Sequence, residues 1–159
     1  MSSGVPIDPA CFATYNELQS QHKLRWIVFG VQDACIKMLA AGDTSKKGRE
    51  AWADFTDAAN MPDGECRYGV FDLDISIDDG VHERENSKIV FINWADDNAK
   101  IKVKMVHAAS KDAFRKGLAG VAVDYQAADR DELKYESMLE MKAAELKVPK
   151  ASLEKMISS

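Results

Sequence analysis

The order of apolar and polar residues along the chain predicts strands that alternate with helices. Strands are predicted where aromatic and β-branched residues are enriched or alternate with polar ones, at residues 24–31, 34–41, 66–77, 88–94 and 121–127. Helices are predicted where apolar residues recur at helical spacing, at residues 8–21, 49–59, from about 97 onward, and 129–146. The segment 34–41 also suits a helix, and that alternative stays open.

Polar and turn-forming residues predict the connections between these elements. Residues 78–87 (DDGVHERENS) are expected to form a polar hairpin loop. Ser110 can cap a second helix, which would divide the long helical segment after Trp94. Pro149 is expected to end the last helix and to leave a short polar tail.

The segment 88–94 (KIVFINW) is apolar almost throughout, as in strands that are buried on both faces of a sheet. Together with the alternation of strands and helices, it predicts an α/β fold with a central mixed β-sheet sandwiched between helices. No internal repeat and no linker composition divides the chain. We therefore expect a single domain over residues 1–146 and a short C-terminal tail over residues 147–159.

The helix that follows Trp94 carries two stripes of residues at helical spacing. One stripe is cationic or titratable and consists of Lys100, Lys104, His107 and Lys111. The other is apolar, lies about a quarter turn away, and consists of Ile101, Met105 and Ala108. The simplest interpretation is a solvated face beside a core face, so the pattern alone does not establish a binding site.

Composition argues against several classes of function. The chain is 46% hydrophobic and 30% charged, which is typical of a soluble globular protein. No signal peptide and no apolar run of membrane-spanning length is evident, so we expect a cytosolic protein without a transmembrane segment. The three cysteines and three histidines are scattered without metal-site spacing, so free thiols and no metal or cofactor are expected. Nucleotide-binding and hydrolase motifs are absent, which argues against an enzyme.

The distribution of charge indicates the chemistry of a partner. A net charge of −5 and a pI of 5.2 argue against binding to nucleic acid. Positive residues are concentrated between positions 100 and 116, where six lysines and arginines accompany the single acid Asp112. A basic helix on an acidic protein favours an acidic partner at that helix.

Seven segments of the chain follow one another in an order that is typical of one protein family. They are MSSGV (1–5), TYNEL (14–18), LRWIVFGV (24–31), ECRYGVFDLD (65–74), KIVFINW (88–94), KIKVKM with ASKDAFRKGL (100–105 and 109–118), and ELKYESMLEMK (132–142). In this order they resemble the ADF/cofilin family. The resemblance implies a monomeric, non-enzymatic protein of the cytoplasm and actin cytoskeleton, which binds actin and promotes disassembly and severing of its filaments.

The resemblance also implies a surface for actin monomers and filaments alike, formed by a flexible N-terminus and the helix after Trp94. Its residues are Ser3, Gly4, Val5, Lys102, Lys104, Met105, Ser110, Lys111, Asp112 and Arg115. The lysines would pair with carboxylates of actin, and Met105 would enter a hydrophobic cleft. The basic residues further imply binding to phosphoinositides.

Ser3 stands where many family members carry a serine whose phosphorylation abolishes actin binding. Added negative charge would oppose docking on acidic actin. Ser2 is an adjacent alternative for the same modification.

A second family surface contacts only filaments, and the resemblance assigns Lys88 and Glu140 to it. Several neighbouring residues depart from the basic pattern of the family, with Lys142 as a partial compensation. The departures are Glu85, Asn86 and Ser87 before the strand, and Met141 and Ala144 on the last helix. We therefore expect monomer binding to be preserved and filament binding to be weakened.

Two alternatives to an actin-disassembling protein remain open. One is a module of the same fold that mainly binds monomers, modulating nucleotide exchange or sequestering actin with little severing. The other is a small α/β enzyme with a site formed by Asp72, Asp74 and His82, although these acids alternate on a strand and are expected on its solvent face.

Overall fold

The computed structural model describes residues 4–78 and 83–158 of the chain. Within these ranges the elements as far as α4 follow one another in the order predicted for an α/β fold. They are α1 (Ala10–Gln19), β1 (Leu24–Gln32), β2 (Cys35–Asp43), α2 (Gly48–Phe55), β3 (Cys66–Asp78), β4 (Glu83–Ala95), α3 (Ile101–Lys116), β5 (Val121–Ala127), α4 (Tyr135–Leu146) and α5 (Lys150–Ser158).

The five described strands form one mixed sheet in the order β2-β1-β3-β4-β5. All neighbours are antiparallel except β4 and β5, which are parallel and are connected through α3. The chain before α1 adds a short parallel bridge at the β2 edge, where Ile7 pairs with Ile36. The predicted mixed β-sheet between helices is confirmed.

Two hydrophobic clusters cover the two faces of the sheet. One joins the sheet to α2, α4 and α5, and the other joins it to α1 and α3. Strand β1 contributes side chains to both clusters, because successive side chains of a strand point to opposite faces of the sheet. Trp26 and Val28 belong to the first cluster, and Ile27 and Phe29 belong to the second. In β4, Val90 and Phe91 divide in the same way, so the predicted burial of this strand on both faces is confirmed.

The alternative helix over residues 34–41 is excluded, because β2 pairs with β1 along the length of that segment. The predicted polar loop over residues 78–87 is wrong for most of its length. Strand β4 already begins at Glu83 and extends the hairpin with β3, while residues 79–82 lie outside the described residues. A polar sequence forms strand here because two antiparallel strands satisfy each other's backbone groups whatever their side chains.

Helix α3 is continuous, so the predicted restart at Ser110 is wrong. The Ser110 hydroxyl donates to the carbonyl of Val106 at 2.8 Å, one turn back, instead of capping a new N-terminus. Helix α4 begins at Tyr135 rather than at residue 129, and turns precede it.

Residues after Pro149, predicted as a short polar tail, form the helix α5. Helix α4 ends at Leu146, and Lys147 then adopts a left-handed conformation with φ of 58°. Met156 is buried against the core, and the Arg49 guanidinium donates to the carbonyl of Ile157. The division of the chain into a domain and a tail at residue 146 stays a prediction. Among the described residues, no helix is long and apolar enough to cross a membrane.

Candidate functional site

Helix α3 is fixed to the sheet through one buried side. That side consists of His107, Ser110 and Phe114, which follow helical spacing. The imidazole of His107 stacks on the ring of Tyr68, with centroids 4.0 Å apart, and its Nε2 contacts Oδ1 of Asn93. The Phe114 ring packs edge-on against Phe29 at 4.9 Å. These contacts orient the opposite side of the helix outward.

His107 is part of the packing and does not belong to a solvent-exposed cationic stripe. Burial, followed by the positive charges of Lys111 and Arg67, lowers its pKa from 6.5 to about 4. At neutral pH the imidazole is therefore uncharged. His107 therefore does not belong to the predicted cationic stripe. A polar ring can be buried in this way when hydrogen-bond partners lie next to it.

The exposed side of α3 carries the apolar stripe that spacing alone assigned to the core. Ile101 is 75% exposed and Met105 is 62% exposed, and Ala108 is exposed as well. At about 100° per residue, Lys102 and Lys104 project on either side of Met105. Ile101 was missed as a candidate; its signal in the sequence is its position one turn before Met105.

The described part of the N-terminus lies against α3. The backbone N–H of Val5 donates to the hydroxyl oxygen of Ser110 at 3.0 Å, and Val5 packs against the cluster beneath the helix. Gly4 is half-buried next to it. The structure therefore brings together two parts of the predicted surface that are about 100 residues apart in the sequence. Ser3 and Ser2 lie outside the described residues.

The charged candidates on α3 differ in how firmly they are held. The Lys104 ammonium donates to the carbonyl of Asp97 at 3.0 Å. Arg115 forms an ion pair with Asp124 on β5 at 2.9 Å, with its guanidinium above the ring of Phe91. Lys102 and Asp112 are exposed and Lys111 is half-buried.

The two filament-only candidates lie away from the exposed side of α3. Lys88 is half-buried on β4, beside a cleft of about 300 Å³ that the link between α4 and α5 also lines. Glu140 is exposed on α4, which packs on the opposite face of the sheet from α3.

Several charged side chains near Lys88 and Glu140 are paired, and Lys147 lines the same cleft as Lys88. Glu85 pairs with Lys47 at 3.2 Å, and Ser87 donates to the carboxylate of Asp72. On α4, Met141 is 68% exposed, and Lys142 pairs with Glu145 at 3.2 Å.

The acids proposed for an enzyme site are engaged in the structure. Asp72 is 4% exposed, so its expected place on the solvent face is wrong, and Asp74 accepts from Arg25 at 3.1 Å. Burial raises the pKa of Asp74. His82 lies outside the described residues. Across the described residues, no group of three or more His, Cys, Asp or Glu side chains could hold a metal ion.

Comparison with known proteins gives consistent matches over nearly the whole chain. The model of the cofilin/tropomyosin-type actin-binding protein family matches residues 4–142. Cofilin of Schizosaccharomyces pombe is 35% identical over 139 residues, which cover 87% of this chain and 94% of that protein.

Solved structures agree with these matches. The crystal structure of Streptomyces griseoflavus cofilin has a TM-score of 0.73 and 34% identity, covering 89% of this chain and 98% of that one. Actin depolymerization factor 2 of Plasmodium berghei has a TM-score of 0.76 and 26% identity, covering 93% and 100% of the two chains. The fold, the helix α3 with its docked N-terminal segment, and these matches lead to one conclusion: the chain belongs to the ADF/cofilin family of actin-binding proteins.

Proposed function

We propose that this protein binds actin monomers through the exposed side of α3 and the N-terminal segment, and that it promotes filament disassembly. The observation that supports this most directly is the exposure of Ile101 and Met105 on a helix whose other side is packed into the core. Large apolar side chains in such positions are typical of sites that are covered by a partner. Lysines on both sides of Met105 suit a cleft with an acidic rim.

The contribution of Met105 can be estimated from its exposure. Full burial of a methionine side chain stabilises a complex by about 1.5–3 kcal/mol. Because 62% of Met105 is exposed in the free protein, insertion into a cleft would contribute about 1–2 kcal/mol. Loss of this contribution weakens binding by about 5- to 30-fold.

The test is binding of Met105→Asp to fluorescent actin monomers. Met141→Asp is the matched control, since Met141 is 68% exposed on α4, on the other face of the sheet. We expect at least tenfold weaker binding for the first variant (about 1.4 kcal/mol) and wild-type affinity for the control. Equal affinities of the two variants would contradict the assigned surface.

The double variant Lys102→Ala, Lys104→Ala is expected to weaken binding to actin monomers as well. Unchanged binding would contradict the actin-binding role that the family resemblance assigns to these two lysines.

We further propose that binding along filaments is weakened relative to monomer binding. The support is the departure of residues near Lys88 and Glu140 from the basic pattern of the family: Lys142 is paired with Glu145, and Glu85 on β4 is paired with Lys47. Each lost rim pair costs about 0.2–1 kcal/mol. In a pelleting assay at neutral pH, we expect substoichiometric co-sedimentation with filaments; stoichiometric decoration would refute the proposal.

A second candidate function follows from the same departures from the basic pattern. The protein would then act mainly on monomers, by sequestering them or by modulating nucleotide exchange, with little severing. Single-filament microscopy distinguishes the two candidates: frequent breaks at substoichiometric protein support disassembly by severing, whereas intact filaments that shrink only as monomers are withdrawn support the second.

Three further features of the proposal rest on the family resemblance. We propose that phosphorylation of Ser3 prevents actin binding, that phosphoinositides compete with actin for the basic residues of α3, and that the protein is a monomer of the cytoplasm and actin cytoskeleton. Ser3→Glu tests the first through loss of monomer binding, with Ser2→Glu as the matched control. Wild-type affinity of Ser3→Glu would contradict the role of Ser3.

A further inference from the structure

A groove of about 330 Å³ lies between α3, the C-terminal end of β1 and the N-terminal end of β3. Its walls include Val31 from β1, which is 38% exposed, and Val103 and Val106 from α3, which are half-buried. The volume falls at the lower end of the range of small-molecule sites in proteins. None of these valines belongs to the proposed actin-facing surface, and Lys102 is the residue that the two share.

The rim of the groove is positively charged. Lys100, Lys102 and Arg67 lie on it, with Glu65 as the acid on the same rim. Glu65 lies 3.9 Å from the Arg67 guanidinium and offsets that cation. Among the described residues, neither Lys100 nor Lys102 forms an ion pair, so two ammonium groups remain available at the mouth of an apolar groove.

We infer that this groove binds a medium-chain fatty carboxylate, with the alkyl chain against the three valines and the carboxylate at Lys100 and Lys102. The shape and charge both favour this class of ligand. A purely apolar ligand would leave the ammonium groups without a partner, and a small polar anion would leave the valines exposed to water. An amphipathic anion satisfies both parts of the site at once.

The test is titration of the full chain with decanoate below its micelle-forming concentration, followed by calorimetry and by amide and methyl NMR shifts. We expect saturable one-to-one binding with a dissociation constant on the order of 1 mM, and shifts that map to Val31, Val103 and Val106. Decanol, which lacks the charge, and acetate, which lacks the chain, are expected to bind at least about tenfold more weakly. Decanoate that does not saturate, or decanol that binds as well as decanoate, overturns the inference.

Two variants locate the site. Val31→Asp places a carboxylate in the wall and is expected to weaken decanoate binding at least about tenfold. Met38→Asp is its matched control, because Met38 is 41% exposed on the same β1–β2 hairpin but does not line the groove. Lys100→Gln leaves the walls intact and is expected to weaken binding about threefold. Unchanged binding in Val31→Asp or in Lys100→Gln, or equal losses in Val31→Asp and Met38→Asp, would refute the assignment.

Occupancy of the groove has a consequence that rests on the proposed function. Lys102 lies both on the rim and in the actin-facing surface, so bound decanoate is expected to lower affinity for actin monomers. The titrations contain no actin, and they therefore succeed or fail independently of actin binding. If decanoate no longer competes with actin in Val31→Asp but still competes in Met38→Asp, occupancy of the groove is the cause of the competition. Equal competition in both variants would show that decanoate lowers actin affinity from another site.

Discussion

His107 is expected to make the stability of the fold depend on pH between about 6.5 and 4. The residue is 3% exposed and holds α3 on the sheet through its stack on Tyr68 and its contact with Asn93. Burial is the main cause of its lowered pKa of about 4 in the folded protein, and the charges of Lys111 and Arg67 add to it. In the unfolded chain the same imidazole titrates near 6.5.

The size of the effect follows from these two pKa values. Above pH 6.5 the imidazole is neutral in both states and has no influence. As the pH falls from 6.5 to about 4, the unfolded state binds more protons than the folded state, so the free energy of unfolding decreases. The loss is complete below about pH 4 and amounts to about 3 kcal/mol, at about 1.4 kcal/mol per pKa unit.

The assay is urea unfolding of the wild type and of His107→Gln at pH values from about 7.5 to about 4.5. The variant cannot titrate, so its stability should decrease less on acidification, and the difference between the two proteins should change by about 2–3 kcal/mol. His22→Gln is the matched control, since the His22 side chain is 65% exposed. Parallel pH profiles of the wild type and His107→Gln would refute the reasoning.

Two further predictions concern packing. Gly69→Ala is expected to lower the free energy of unfolding by about 1–3 kcal/mol, because the added Cβ would lie 2.5 Å from the buried ring of Phe55; unchanged chemical denaturation would contradict this. Met156→Ala is expected to cost about 2–5 kcal/mol, since this side chain attaches α5 to the core. Met141→Ala, at an exposed position, is its control, and equal stability of the two variants would show that α5 does not contribute.

Several elements were predictable from the sequence because their signals are local. Residues 121–127 alternate apolar and polar side chains, and β5 has these bounds. Residues 88–94 are apolar apart from Lys88 and Asn93, and this part of β4 is buried on both faces. The polar residues 83–87 were missed as strand, because pairing with β3 is a contact between distant segments that leaves no periodic apolar signal.

The orientation of α3 could not be predicted from its periodicity. Spacing separates Ile101 and Met105 from the cationic positions, but it does not tell which side meets the sheet. The structure buries His107 because Tyr68 and Asn93 meet its ring from the sheet. An apolar stripe therefore stays exposed, and a titratable residue is buried in its place.

By itself, the sequence determined the order of strands and helices as far as α4, the mixed sheet and the family. Those properties depend on patterns within short segments and on the order of the segments along the chain. Only the tertiary structure decided that Val5 docks on Ser110, and that Val31 and Val103 enclose a groove beside the basic helix. These pairs join residues that are far apart in the sequence, and their contact results from the packing of α3 and the N-terminal segment on one face of the sheet.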